Sequence, residues 1–362
     1  VGQIMFGDSA HTPIRVSIGQ FYGIEINDFA VAVAKTALWI AESQMLKKTE
    51  DIVHLQIDFL PLKSYTNIHE ANALRIDWET VVPKSQLNYI MGNPPFVGYS
   101  LQSKEQKQDI LSIYVDENGK PYKTAGKIDF VAGWFFKAAC FMQNSNIRSA
   151  FVSTNSITQG EQVAGVWKPL YDRFGIHIDF AWRTFKWSSL SNDKAAVHCV
   201  IIGFSQVSYP IEKLIFHSEN SVHRAKNINP YLLDFDTLFI ESRTSPLCNV
   251  PPLQNGGKPT EGGFLILSKE EKIDLLKHEP QALSLLRPYM MGKDFINREP
   301  RYCLWMVGVP PSLIKQCPMV MTRIEQVRKY RLRSPKEATR KKANFPMLFD
   351  EVRECSTVYV AI

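Results

Sequence analysis

Over the first two hundred residues, short apolar runs alternate with stretches of helical periodicity, a pattern that predicts an α/β domain on a parallel sheet. Residues 21–26 (FYGIEI) are the first buried strand candidate. Asn27 or Asp28 can cap the helix that follows, where Ala30, Val31, Ala34, Leu38 and Ala41 recur at helical spacing to about Met45. Residues 52–58 and 87–91 are the next two strand candidates. The second ends at Gly92-Asn93-Pro94-Pro95, which continues neither a strand nor a helix. An apolar helix over 130–142 and strands over 148–154, 176–182 and 195–204 complete the set, and the polar stretch 185–194 reads as a loop.

After about Tyr209 the texture changes. Proline and glycine become frequent (PPLQNGGKPTEGG, 251–263) and the strand–helix alternation fades, so a domain boundary is expected near 205–230, dividing the chain into 1–210 and 211–362. With 45% hydrophobic and 22% charged residues the composition is that of an ordinary globular protein. No stretch approaches the ~20 apolar residues of a membrane span, and no signal peptide opens the chain. Val1 stands in loop-like sequence without an initiator Met, and the chain stops at Ile362 just after a strand-like run, so both ends are expected to lie inside a longer protein. The six cysteines are scattered with no Cys-x-x-Cys or Cys/His cluster, which suits a reducing cytoplasm and argues against zinc. Cys140 and Cys199, in apolar runs, are expected to be buried.

The net charge of +6 is unevenly placed. Residues 323–342 (RIEQVRKYRLRSPKEATRKK) carry nine Lys/Arg and two Glu, against 33 basic and 34 acidic residues elsewhere. Such a block is either a solvated helix face or a phosphate-contacting surface, with Arg331, Arg333, Lys341 and Lys342 as candidate DNA contacts.

The most informative chemistry is Asn93-Pro94-Pro95-Phe96 at the end of a strand. An exocyclic aromatic amine is a poor nucleophile because its lone pair is delocalised into the ring. A site that methylates it must accept hydrogen bonds from both N–H groups, and the Asn93 side-chain oxygen and the Pro94 carbonyl are two such acceptors. The paired prolines fix the direction of that carbonyl, and Phe96 offers a flat face for an extruded base. As an isolated tetrapeptide the same residues form an ordinary turn; their place directly after an apolar strand favours chemistry.

Here the chain resembles class I amino-methyltransferases, whose catalytic motif is (N/D/S)-P-P-(Y/F/W) after a strand and whose Asn-Pro-Pro-Phe form favours adenine N6. YGIEIN (22–27) is similar to the family's second segment for S-adenosyl-L-methionine, where an acidic strand-end residue binds the ribose; Glu25 matches, followed by Ile26. NALRIDW (72–78) resembles the third, adenine-contacting segment, with Asn72 in place of the usual Asp, followed by Ala73 and Leu74. KIDFVAGWFF (127–136), SAFVSTNSITQGEQ (149–162) and FKWSSLSNDKAAVHCVIIGF (185–204) resemble later segments, and in the last of these Phe185 and Trp187 would help hold the flipped base. The C-terminal part resembles MmeI-like single-chain restriction-modification enzymes. The resemblance implies a Rossmann-like class I methyltransferase sheet followed by part of a mixed α+β target-recognition domain, S-adenosyl-L-methionine as cofactor and double-stranded DNA as partner. It also implies that the first strand, the glycine-rich cofactor loop and a nuclease domain lie upstream of Val1, so that this segment alone binds the cofactor weakly.

Plainer roles remain open for several residues. By position Glu25 also fits a helix cap, though the cofactor reading leads for it, and Asp129 fits a cap as well as a ligand contact, while Asp77 and Trp78 read as residues packing the sheet edge. Phe185 and Trp187 fit a core as well as a base contact, and His198 reads as a core histidine. Besides adenine-N6 methyl transfer, a DNA-binding module without catalysis and cytosine-N4 methylation are the alternatives.

Overall fold

The computed structural model describes residues 16–53, 67–187, 197–207, 212–246, 248–250 and 255–354. The chain divides into two compact units at Ser245/Pro246.

In the first unit, β1 (Gly23–Glu25) pairs in parallel with β2 (Ile68–Glu70), and the helix α1 (Asp28–Val53) lies between them in sequence. The Asn27 side chain accepts from the Ala30 N–H at 3.2 Å, which makes Asn27 a cap of α1. The helix runs eight residues beyond the end expected from its apolar repeat, because Lys47, Lys48, Glu50 and Asp51 offer no breaker. Of the strand expected over 52–58, residues 52 and 53 are helical and the rest fall outside the described residues. The strand β2, only three residues long, carried no periodicity signal.

A second sheet holds six strands in the order β3-β4-β6-β5-β7-β8. Along the chain these are β3 (Tyr89–Gly92), then α2 (Lys104–Ile113) and α3 (Ala132–Phe141), β4 (Arg148–Thr154), α4 (Gly160–Phe174), β5 (His177–Trp187), β6 (Val197–Ser205), β7 (Lys213–Ser218) and β8 (Ser221–Ala225). The strand β3 runs parallel to β4 and β5 parallel to β7, whereas β6 is antiparallel to both of its neighbours. The sheet is therefore mixed rather than wholly parallel. Nine residues separate β5 from β6, too few for the crossover helix a parallel pair requires. Because β6 reverses direction, β3, β4 and β5 all send their carboxyl ends to the same edge.

Two expectations shift on this sheet. Residues 185–187, expected in a loop, continue β5 and pair with β6 after an irregularity between Trp182 and Phe185. Residues 213–225, assigned by sequence to the second domain, extend the first unit's sheet instead, so the compact unit reaches 245 rather than 210.

The core forms where α3 packs on the sheet. Phe135 is fully buried, with ring centroids 5.2 Å from Phe151 and 5.4 Å from both Trp167 and Phe204. Each such aromatic contributes on the order of 2–3 kcal/mol by burial. Gly133 lets α3 approach α2 and the segment after β2: a Cβ there would stand 2.9 Å from Ile110 of α2 and 3.2 Å from Leu74.

The second unit comprises β9 (Ile266–Leu267), α5 (Lys269–His278), β10 (Leu286–Tyr289), α6 (Gly292–Asn297), β11 (Arg301–Leu304), α7 (Pro311–Lys315), α8 (Pro318–Leu332) and α9 (Glu337–Lys341). Its strands form an antiparallel sheet in the order β10-β11-β9. Ser268 and Glu271 form a capping box on α5. At the start of α8 the buried Glu279 carboxylate accepts from Met319 and Val320 N–H, which satisfies amides the helix itself leaves open.

The basic block falls on α8 and α9, and here the structure corrects one expectation. Arg331 does not face solvent: it is fully buried, and its guanidinium donates to the carbonyls of Pro259, Thr260, Lys342, Phe345 and Leu348 at 2.8–3.1 Å. Burial lowers its pKa from the ordinary arginine value. Five carbonyls from two distant segments converge on one planar fork, so Arg331 ties α8 to the chain on either side and has no donor for phosphate.

Arg331→Ala is expected to destabilise the second unit by about 3–5 kcal/mol, since it leaves buried carbonyls without donors. Denaturant unfolding monitored in the second unit measures this; a loss below about 1 kcal/mol contradicts the role given to this side chain.

Candidate functional site

At the carboxyl end of β3, Gly92 pairs with Phe151 of β4, and the chain then breaks into Asn93-Pro94-Pro95-Phe96. Proline supplies no N–H for the ladder, so the strand stops where the sequence predicts. Pro94 is buried, Phe96 is half-buried, and Asn93 and Pro95 are exposed. Among the described residues no hydrogen bond engages the Asn93 side chain or the Pro94 carbonyl, so both acceptors remain open.

The loop after this turn is clamped from its far side. The Phe130 N–H donates to the Val97 carbonyl at 2.9 Å, and the Tyr99 N–H donates to Asp129 Oδ1 at 3.0 Å. The Gln102 side chain, buried, donates to the Ile128 carbonyl at 2.9 Å. Asp129 also accepts from the Ser156 hydroxyl at 2.5 Å, and Ser156 belongs to the turn that follows β4. Asp129 is thus neither a helix cap nor a free carboxylate: it fastens the loop after β3 to the loop after β4. The segment KIDF pointed to this residue, but its partners, Tyr99 and Ser156, are visible only in three dimensions.

The other expected residues divide by environment. Glu25 is half-buried at the end of β1 and accepts from its own Ile26 N–H at 3.0 Å; with Asn27 capping α1, the capping role is not needed from Glu25. Ile26 is 68% exposed. The Ala71 N–H donates to the Glu25 carbonyl at 2.8 Å, so the parallel pairing of β1 with β2 brings Asn72 close along the chain to the Glu25 strand end. Asn72 Oδ1 accepts from the Leu74 N–H at 2.9 Å, and its amide donates to Asp109 at 3.1 Å. The buried Asp109 also accepts from Arg75 at 2.7 Å, which raises the arginine's pKa.

Leu74 is the second correction. Its side chain is 2% exposed within the core, its N–H is taken by Asn72, and its carbonyl accepts from Lys137 Nζ at 2.8 Å. Neither side chain nor backbone N–H is left to touch a cofactor. Lys137, which sequence reasoning missed, also donates to the Ile76 carbonyl and lies over the Trp78 ring; burial lowers its pKa. Trp78 is buried with its indole donating to the Ala73 carbonyl, the packing role expected of it, whereas Asp77 is exposed and caps the 78–80 turn by accepting from the Glu79 N–H rather than packing on the sheet edge.

Phe185 and Trp187 lie on β5 at the same sheet edge as the Asn93 turn. Phe185 stands in register with Cys199, which stands in register with Thr154 at the end of β4. Phe185 is half-buried and Trp187 is 42% exposed, their rings 6.2 Å apart. His198, expected in the core, is exposed beside Lys186 near the start of β6, and Cys140 is exposed at the end of α3; Cys199 is buried. On the second unit Arg333 is exposed without a partner among the described residues, Lys341 pairs with Glu337 at 2.9 Å, and Lys342 donates to the Asp350 carbonyl at 2.8 Å. Among the described residues no group of acidic, His or Cys side chains could hold a metal ion, and no helix is long and apolar enough to cross a membrane.

A sheet whose parallel strands end together at an acceptor-bearing Asn-Pro-Pro-Phe turn, preceded in the chain by a parallel strand pair whose first strand ends in an acidic residue, has the architecture of the class I methyltransferases. Comparison narrows this. The MmeI DNA-methyltransferase domain family matches residues 3–217, and the MmeI target recognition domain family matches residues 234–362. The chain belongs to the MmeI DNA-methyltransferase family. It is 37% identical to DNA methyltransferase A of Bacillus subtilis (strain 168) over 363 residues, which is 99% of this chain and 40% of that protein. It is also similar to the solved structure of the Type IIL restriction-modification enzyme MmeI in complex with DNA, with a TM-score of 0.83 and 42% identity over 95% of this chain and 46% of that one. The chain therefore spans less than half the length of either relative.

If Asp129 holds the loop, Asp129→Ala is expected to speed amide exchange over residues 97–101 by roughly tenfold or more, the loss of one charge-assisted hydrogen bond. Asp129→Asn, which keeps an acceptor for Tyr99, should lie between Ala and the parent. Unchanged exchange in Asp129→Ala contradicts the clamp.

Proposed function

We propose that this chain carries the methyl-transfer site and part of the DNA-reading surface of an adenine-N6 DNA methyltransferase that uses S-adenosyl-L-methionine. The observation that carries the reading is the pair of open acceptors, Asn93 Oδ1 and the Pro94 carbonyl, on a turn held rigid by Pro94, Pro95 and the Asp129 clamp. Family membership and the DNA complex of the MmeI relative support it.

The residues present fit the nucleoside half of the cofactor. Glu25 retains a carboxylate oxygen beyond its bond to Ile26 N–H, suited to a ribose diol; the exposed Ile26 offers apolar surface, and Asn72 keeps a second lone pair on Oδ1. Ala73, half-buried beside Asn72, would line the same segment. The cofactor supplies an activated sulfonium methyl group. The protein's part is to orient the acceptor: Asn93 and Pro94 accept the two N–H bonds of the target amine and localise its lone pair, while Phe96 stacks on the base. Phe185 and Trp187, at the same sheet edge, would receive the extruded base or its neighbour. No covalent enzyme intermediate is required, so no nucleophilic cysteine need stand in the site.

In the full-length protein, Asn93→Ala removes one of two acceptors and should cost about 3 kcal/mol in the transition state, a loss of two to three orders of magnitude in kcat. DNA affinity should persist. Methyl transfer at the parent rate by Asn93→Ala would overturn the reading.

Arg333, Lys341 and Lys342 remain proposed phosphate contacts, without Arg331. Reversing these three charges should weaken binding to all DNA sequences alike and flatten the slope of log K against log salt by about two to three units, leaving sequence preference intact. An unchanged slope would move the phosphate-contacting surface elsewhere.

A further inference from the structure

The hairpin formed by β10 and β11 in the second unit ends in a knob that a solvent-facing turn does not explain. The strands pair from Leu286↔Leu304 to Tyr289↔Arg301, and residues 290–300 form the connection, with α6 inside it. Four large apolar side chains project from it: Met290 is 64% exposed, Met291 54%, Phe295 72% and Ile296 79%. Four large apolar side chains left exposed within seven residues of one connection cost solvation and invite association, as at a contact surface.

The knob is built to hold its shape. Asp294, nearly buried beneath it, accepts from the Met291 N–H at 2.8 Å and from Arg301 at 2.7 Å. The Arg301 guanidinium lies 5.4 Å from the Tyr289 ring centroid, and its bond to Asp294 holds that carboxylate below its usual pKa. Arg298 takes a left-handed conformation (φ 58°) that ends α6, with its N–H on the Phe295 carbonyl. An apolar tip that bends would fold back on itself; this one is braced outward at its base.

Charge decides between occupants. Between Leu286 and Leu304 there are four basic and two acidic residues. Asp294 is neutralised by Arg301 below the tip. Arg287 is paired with Glu354, whereas Lys293 and Arg298, on the tip itself, and Glu299 beside them are exposed and make no ion pair among the described residues, which leaves one net positive charge there. A rigid apolar tip flanked by free cations, on a unit of the target-recognition family, matches a polyanion with apolar faces between its charges: duplex DNA.

We infer that the 290–298 knob enters a groove of the DNA and wedges Phe295 and Ile296 against base pairs, opening a base step, while Lys293 and Arg298 contact the flanking phosphates. The inference rests on the DNA-methyltransferase reading above. It assigns these residues to deforming the DNA, a role separate from methyl transfer at Asn93.

The test uses the full-length protein and duplexes carrying 2-aminopurine at successive positions through the bound site. The wedge predicts a fluorescence rise at one step away from the methylated base, in addition to any rise at that base. The double substitution Phe295→Ser/Ile296→Ser should abolish the distant rise, keep the rise at the methylated base and weaken binding about tenfold. Phe295→Leu, which keeps an apolar tip, should preserve the distant rise. Lys293→Ala/Arg298→Ala should reduce the salt slope of binding by about one to two units with the step still opened. Because all four side chains are exposed, circular dichroism of the variants should match the parent. Should DNA be methylated in an Asn93-dependent way while the serine variant retains the distant rise and parent affinity, the wedge is overturned and the methyltransferase reading stands. The wedge is equally overturned if the variant's only change is lost self-association in sedimentation, since the knob would then meet a second copy of the chain. A protein that neither binds nor methylates DNA overturns both.

Discussion

One carboxylate helps set where the proposed acceptors stand. Asp129 bonds the backbone of the loop after β3 and the hydroxyl of the turn after β4, so the Asn93-Pro94-Pro95-Phe96 turn is fixed relative to two adjacent parallel strands. The prolines alone fix local direction; they cannot fix position. Asn93 is held on one side by the pairing of Gly92 with Phe151, and Asp129, with the Phe130–Val97 and Gln102–Ile128 bonds, holds the chain that leaves the turn on the other. Preorganised acceptors accelerate a reaction because their reorientation is completed during folding rather than during each turnover.

The same logic recurs around the site in less visible places. Lys137, held against two carbonyls and the Trp78 ring, fastens the segment after Asn72 to α3, and Asp109 fastens it to α2. Gly133 permits the close packing these bonds require. In the second unit Arg331 plays the corresponding part, gathering five carbonyls into the base of α8. Lys137 and Arg331 face inward to backbone carbonyls and Asp109 to the Asn72 and Arg75 side chains, so that removing one group leaves several partners without bonds. Such groups resist substitution more than exposed ion pairs such as Lys341–Glu337 do.

Much of this was legible along the chain. The strand over 148–154 appears with the expected bounds, and the break after Gly92 falls where Pro94 forces it, since local stereochemistry decides both. The extension of α1 past Met45, the reversal of β6 and the continuation of β5 through Trp187 were not legible. They follow from pairing and from the absence of breakers, which an apolar repeat does not encode. Arg331 was misread because a basic run looks solvated from sequence; only the folded positions of residues 259–260 and 342–348 reveal the carbonyls that bury it. Leu74 and His198 were misread for the same reason in opposite directions, one drawn into the core through Gly133 and one left outside at a strand end.

The central claim is that two acceptors on the Asn93 turn select an exocyclic adenine amine. The most direct measurement is the identity of the methylated nucleoside. DNA incubated with the full-length protein and isotopically labelled S-adenosyl-L-methionine is digested to nucleosides and separated by mass spectrometry. The account predicts label in N6-methyl-2′-deoxyadenosine alone. Label in N4-methyl-2′-deoxycytidine, or in no nucleoside while the protein remains bound to the DNA, would contradict it.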